Sequence, residues 1–73
     1  KMDLNDKFPH RVTIQRRDWD VAERWCEANI GEFGQDWYKL GVDPAAFIVD
    51  GDYRTRWFFK TEHDAVFFQL KWA

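Results

Sequence analysis

Few side chains in this sequence could take part in covalent or metal chemistry, and their spacing argues against most of it. Metal binding needs several His, Cys or carboxylate ligands converging on one ion. His10 and His63 lie near opposite ends of the chain, and neither shares a helical or strand face with a ligand-type partner. No metal site and no cofactor are expected. Cys26, the single cysteine, would need an oriented base and an electropositive setting to act as a nucleophile. It stands instead on an apolar stripe between Ala22 and Trp25, where cysteine packs as a small hydrophobe. Asp50 and Asp52 flank Gly51, and turn chemistry accounts for both. The four glycines form no phosphate-binding pattern. The sequence therefore predicts no catalytic residues and no enzyme.

What remains is cation and aromatic chemistry. Arg11, Trp37, Lys39, Arg54, Arg56 and Phe58 recur at strand spacing, and with Thr13 and Gln15 they are assigned to one sheet face. The opposite assignment, toward the helices, falls to Val12, Ile14, Tyr38, Leu40, Tyr53, Thr55, Trp57 and Phe59. The first set holds four cations, two aromatics and no acid. Such a face suits an acidic protein partner. It also suits single-stranded nucleic acid, which binds where basic residues adjoin stacking platforms. An ordinary solvated face with arginines beside aromatics is the third reading. The net charge of −2 argues against a surface that is basic all round.

The elements that position these residues follow from periodicity. His10 to Arg16 alternates, with Val12 and Ile14 on one side, as a half-buried strand does. From Asp18 the period becomes helical. Val21, Ala22, Trp25, Cys26, Ala28 and Ile30 fall in one sector, joined by Trp19 and Asn29, opposite Asp20, Glu23, Arg24 and Glu27. Asp18 or Asp20 is expected to cap this helix, with Glu23 as capping-box partner of Asp20, and Gly31 to end it. Trp37 to Val42 reads as a second strand, ended by Asp43-Pro44. Ala45 to Val49 fits either a strand extension or a turn of helix. Asp50-Gly51-Asp52 predicts a hairpin turn into a third strand over Tyr53–Lys60.

Residues 65–72 satisfy two periods. Val66, Phe68, Leu70 and Trp72 alternate as in a strand, which would add a fourth strand with Phe67 and Lys71 toward solvent. Against that, Thr61 and Asp64 form a Thr-x-x-Asp helix opening, and Ala65, Phe68 and Trp72 share a helical face. Helix is the favoured reading. Val66, Phe67 and Leu70 then point away from that face, and a helix apolar all round must be covered twice. Either residues 43–50 cover the second side through Phe47 and Ile48, or it is an interface, with homodimerisation as one outcome.

The chain has 73 residues, enough for one domain. The division expected is an arm over residues 1–9 and a single α+β domain over 10–73. The fold class is strand-helix-strand-strand-helix, a ferredoxin-like two-layer sandwich on a small antiparallel sheet that lacks an obvious fourth strand. With no disulfide available, five Trp, seven Phe and two Tyr must supply the core. No apolar run approaches the ~20 residues of a membrane span, and the N-terminus lacks a secretory pattern. A single cysteine fits a reducing, cytoplasmic setting. Lys1 ahead of Met2 reads as an added residue before a native start, so a complete small protein is expected.

Two resemblances lie in the C-terminal third. Trp57-Phe58-Phe59-Lys60 through Asp64-Ala65, Phe68, Leu70 and Trp72 resembles the C-terminal end of small proteins encoded by tailed bacteriophages. Trp25-Cys26-Glu27-x-Asn29-Ile30-Gly31 adds a looser match. This likeness implies a phage origin, hence the cytoplasm of a bacterial host, and a compact α+β fold. It carries no activity. The strand leading into Glu-x-Asp-Ala-x-x-Phe is also similar to the third-strand-to-second-helix junction of RNA-recognition-motif domains. Those domains present aromatics on their first strand, where this chain has Arg11, Thr13 and Gln15. The function expected is a small non-enzymatic binding protein that docks on a host or phage protein, with single-stranded nucleic-acid binding as the alternative.

Overall fold

Antiparallel pairing on both sides of one strand organises the molecule. The computed structural model describes residues 4–73, and its elements are α1 (Leu4–Lys7), β1 (His10–Gln15), α2 (Trp19–Asn29), β2 (Trp37–Leu40), α3 (Pro44–Asp50), β3 (Arg54–Phe59) and α4 (Glu62–Trp72). The sheet order is β1-β3-β2, and both pairings are antiparallel. The connection through α2 carries the chain from β1 to β2 while leaving a slot between them, which β3 fills. This is an α+β fold with three strands among the described residues. The last segment is helix rather than a fourth strand. The molecule measures 33 × 31 × 16 Å, the thin dimension being that of one sheet with helices on it.

Aromatic residues fill the space under the helices. Trp37 and Trp57 stack with ring centroids 5.7 Å apart, and Trp57 and Phe59 lie 4.8 and 5.1 Å from Phe68 of α4. Val12 and Ile14 of β1 and Ala22 and Cys26 of α2 complete this cluster. The indole N–H groups are polar atoms that burial would leave unpaired, and the fold pairs two of them. Trp57 Nε1 donates to Thr55 Oγ1 at 2.7 Å, which explains a fully buried threonine on the central strand. Trp37 Nε1 donates to the Gly31 carbonyl at 3.0 Å. Trp72 Nε1 is buried without a partner, although the Arg16 guanidinium lies 5.1 Å from the Trp72 ring.

Helix ends show which local signals the fold uses. Thr61 caps α4 as its Thr-x-x-Asp pattern predicts, its hydroxyl accepting from the Asp64 amide at 3.2 Å. Asp18 occupies the cap position of α2 but makes no side-chain cap bond. Its carboxylate is held instead by the forked guanidinium of Arg16, at 2.9 and 3.0 Å. The capping box expected from Asp20 and Glu23 does not form, because Glu23 is engaged elsewhere. Gly31 does follow the end of α2, with φ +153°. A Cβ there would come 2.1 Å from the Asp36 carboxylate, which accepts from the Glu32 amide, so the close approach requires glycine.

Two expectations about the connections are corrected. Asp50-Gly51 does not turn a hairpin. Asp43 caps the Ala45 amide, Pro44 starts the first turn, and Gly51 ends α3 in the left-handed region at φ +68°. The open choice over Ala45–Val49 thus resolves as helix, and β3 starts at Arg54 rather than Tyr53. The arm assigned to residues 1–9 is not separate from the domain where it is described. Leu4–Lys7 form a helical turn, Lys7 Nζ donates to the Gly34 carbonyl at 2.8 Å, and Phe8 is buried against Tyr38. Residues 1–3 lie outside the described residues.

Candidate functional site

The register decides which expected surface residues reach the surface. Trp37 pairs with Phe59 and Lys39 with Trp57, so Trp37 and Lys39 share the helix-covered face. Tyr38 and Leu40 pair with Phe58 and Arg56 on the open face. The assignment of β2 is therefore inverted relative to the sequence reading. A shift of one residue in facing exchanges every side chain of a strand, and alternation within a four-residue strand leaves both choices open. Trp37 wins the inner place because its ring stacks on Trp57 and its N–H finds Gly31. Lys39 follows it inward by laying its stem over the core and sending its ammonium group to the rim. Its Nζ lies 2.9 Å from Glu23 of α2 and 4.5 Å from the Trp19 ring centre. Trp37 and Lys39 are thus structural, and neither belongs to an open partner surface.

Phe58 is corrected as well. It does lie on the open face, between Arg11 and Tyr38 in the register, yet it is only 5% exposed. The N-terminal segment brings Phe8 onto Tyr38 at this end of the sheet, and Phe33 stacks on the same tyrosine with centroids 5.1 Å apart. No sequence period marks Phe8 or Phe33 as covers, because each lies outside the regular elements.

Arg11, Arg54 and Arg56 do reach the surface, and the structure brings them together. They line one hollow of about 310 Å³ with Thr13, while Asp43, Ala46 and Asp52 form the remaining wall. Arg54 is tied to Asp52 by a fork of bonds, 3.0 Å from Nε and 2.6 Å from Nη2. Those bonds hold the Asp52 carboxyl down at about 2. Arg11 and Arg56 form no salt bridge among the described residues, although the charge of Arg56 also acts on Asp52.

A second surface lies on α4. Ala65, Phe68 and Trp72 face the core while Val66, Phe67 and Leu70 are 47%, 41% and 81% exposed. Phe67 leans on Trp25 of α2, with centroids 4.9 Å apart, so the patch runs onto the seam between the two helices. Glu62, His63, Val66, Phe67 and Leu70 line an open depression of about 430 Å³. Residues 43–50 do not cover it. Phe47, Ile48 and Val49 of α3 are themselves exposed, an apolar surface that short runs in the sequence could not place.

Cys26 and the two histidines, the residues most suited to covalent or metal chemistry, lie apart from one another in the fold. Cys26 is fully buried, and burial together with Glu23, Asp64 and Glu27 pushes its thiol up to about 12. A thiol in that state is a packing group rather than a nucleophile. His63 is exposed on the first turn of α4 with its Nδ1 3.6 Å from Asp64. No group of three or more His, Cys, Asp or Glu among the described residues is placed to hold a metal ion. No helix among them is long and apolar enough to cross a membrane. No protein-family model matches the chain, and neither a curated protein nor a solved structure matches it.

Proposed function

We propose that this protein is a non-enzymatic binding module that docks on another protein through the outer face of α4. One observation carries the reading. Val66, Phe67 and Leu70 are exposed on a helix whose inner face, through Ala65, Phe68 and Trp72, already satisfies its own sheet. Contiguous apolar surface of this kind marks interaction sites, and aromatic anchors dominate their energetics. Phe67 is held in place by Trp25, so little side-chain freedom is lost on docking.

The β1-β3-β2 order fits a ferredoxin-like sandwich without its outermost strand, which leaves the free edge of β1 beside the same helix layer. The likeness of the C-terminal third to small tailed-phage proteins supports a phage-encoded accessory factor acting in the bacterial cytoplasm on a host or phage protein. The nucleic-acid alternative needs stacking platforms beside its arginines. Trp37 is in the core and Phe58 is covered, which leaves Tyr38, itself stacked by Phe8 and Phe33, as the aromatic of that face and supports a protein partner over a nucleic acid. Tagged wild-type protein should capture a protein from a nuclease-treated bacterial lysate, and the double variant Val66→Glu, Leu70→Glu should not. Equal capture by both would overturn the reading. Sedimentation over a range of concentrations separates docking on another protein from homodimerisation through the same face.

A further inference from the structure

The open sheet face holds a feature that docking through α4 leaves unexplained. Most arginines and lysines here have an evident engagement. Lys39 reaches Glu23, Arg16 reaches Asp18, Arg24 reaches Asp20 and Arg54 reaches Asp52, while Arg17 lies over Tyr53. Arg11 and Arg56 make no salt bridge and no ring contact among the described residues, and Asp52 acts on Arg56 through its charge alone. The register makes them diagonal neighbours, since Arg11 pairs with Phe58 and Thr13 with Arg56. Such diagonal positions lie about 7–8 Å apart, well within reach of two arginine side chains. Two unpaired guanidinium groups on one small patch repel each other, and an anion between them removes that repulsion.

The surroundings narrow the ligand. Thr13, opposite Arg56 and two residues from Arg11, adds a hydroxyl to the lining. Arg54 spends Nε and Nη2 on Asp52, which leaves its Nη1 hydrogens for a ligand. Arg11 and Arg56, with the Arg54–Asp52 pair beside them contributing donors but no net charge, suit the several oxygens of a phosphate group, which arginine binds in a planar fork. The wall opposite is different in kind. Asp43, whose Oδ1 accepts from the Ala45 amide, can still accept from a hydroxyl through its second oxygen. At about 310 Å³ the hollow stands at the lower end of the range for small-molecule sites.

We infer that the hollow between β1, β3 and α3 binds a phosphate monoester of a hydroxyl-bearing small molecule, of the sugar-phosphate or mononucleotide class. Arg11, Arg56 and the free edge of Arg54 hold the phosphate, and Asp43 accepts from a hydroxyl on the carbon skeleton. The site is independent of the α4 surface and stands whether or not that surface docks a protein.

The test is an amide chemical-shift titration of the whole chain at low salt with inorganic phosphate, ribose 5-phosphate, adenosine monophosphate and free ribose. Ribose 5-phosphate or the mononucleotide should saturate, with shifts concentrated at Arg11, Thr13, Asp43, Arg54 and Arg56. Inorganic phosphate should bind more weakly at the same residues, and ribose should not bind. Arg56→Ala and Arg11→Ala should each weaken the ester at least tenfold with unchanged amide spectra elsewhere. Asp43→Asn, which keeps the helix cap, should bring the ester down toward inorganic phosphate. Leu70→Glu should bind as wild type. The inference is overturned by an absence of saturation, by shifts that persist in Arg56→Ala, or by tighter binding of an oligonucleotide than of any monoester.

Discussion

The helices α2 and α4 are the same length, eleven residues each, and lie on the same sheet, yet they treat their outer faces oppositely. α2 buries Ala22 and Cys26 and turns Asp20, Glu23 and Glu27 toward water, with Val21 its one exposed large apolar residue. One of those acids also reaches down to Lys39 and ties the helix to β2. α4 buries Ala65, Phe68 and Trp72 and still presents Val66, Phe67 and Leu70 outward. The requirements of this fold account for the apolar residues on the inner faces and, through Trp25, for part of Phe67, but not for Val66 or Leu70. That asymmetry distinguishes a helix needed only for packing from one with a further role.

The largest expected effect sharpens the asymmetry within α4 itself. Phe68→Ala should cost about 3–5 kcal/mol in urea unfolding, since it empties the space beneath Trp57 and Phe59. Leu70→Gln, two residues away on the outer face, should stay within about 0.5 kcal/mol. Comparable losses for the two would mean that the outer face is structural. Lys39→Ala is next, at about 1–3 kcal/mol, because it leaves the half-buried Glu23 without its charged partner. A cost near zero would show that α2 is not anchored through this pair.

The two helix starts allow a finer comparison. Thr61→Ala removes a formed cap and should cost about 1 kcal/mol. Asp18→Ala removes only an exposed pair with Arg16 and should cost less. Thermal unfolding of the two variants, measured side by side, checks the order. The smallest effect near neutral pH lies at Cys26. Native protein should resist a thiol reagent at pH 8 and react once unfolded. The folded thiol titrates at about 12, against 9.0 for the free group. The unfolded chain loses its proton first as pH rises, so this contribution to stability is complete below pH 9 and declines between 9 and about 12.

Where the sequence was legible, the physical signal was long or chemically specific. The α2 stripe holds at Ala22, Trp25, Cys26 and Ile30 but not at Val21, Ala28 and Asn29, which are exposed. Thr61 and Asp64 mark a helix start, and Val12 and Ile14 alternate within a six-residue strand. The facing of β2 was not legible, since four residues with a tryptophan and a tyrosine adjacent fit either side. The energy of burying Trp37 and pairing Lys39 with Glu23 decided it, and both partners are distant in sequence. The Asp-Gly pair signalled a left-handed glycine correctly, but a helix end uses the same conformation as a hairpin turn. Of the candidate surface residues, Arg11, Arg54 and Arg56 are outward, as their alternation with buried Val12, Thr55 and Trp57 implies. Val66, Phe67 and Leu70 are likewise outward once α4 is a helix.

The docking face itself is most directly tested by placing a photo-crosslinking side chain at one position on each helix. Leu70→p-benzoylphenylalanine lies at the centre of the α4 face, and Arg24→p-benzoylphenylalanine lies on the wet face of α2. Illumination in bacterial cells should yield a discrete adduct with a different protein from position 70 and none from position 24. No adduct at position 70, an adduct with the chain itself, or the same adduct from both positions would contradict the account.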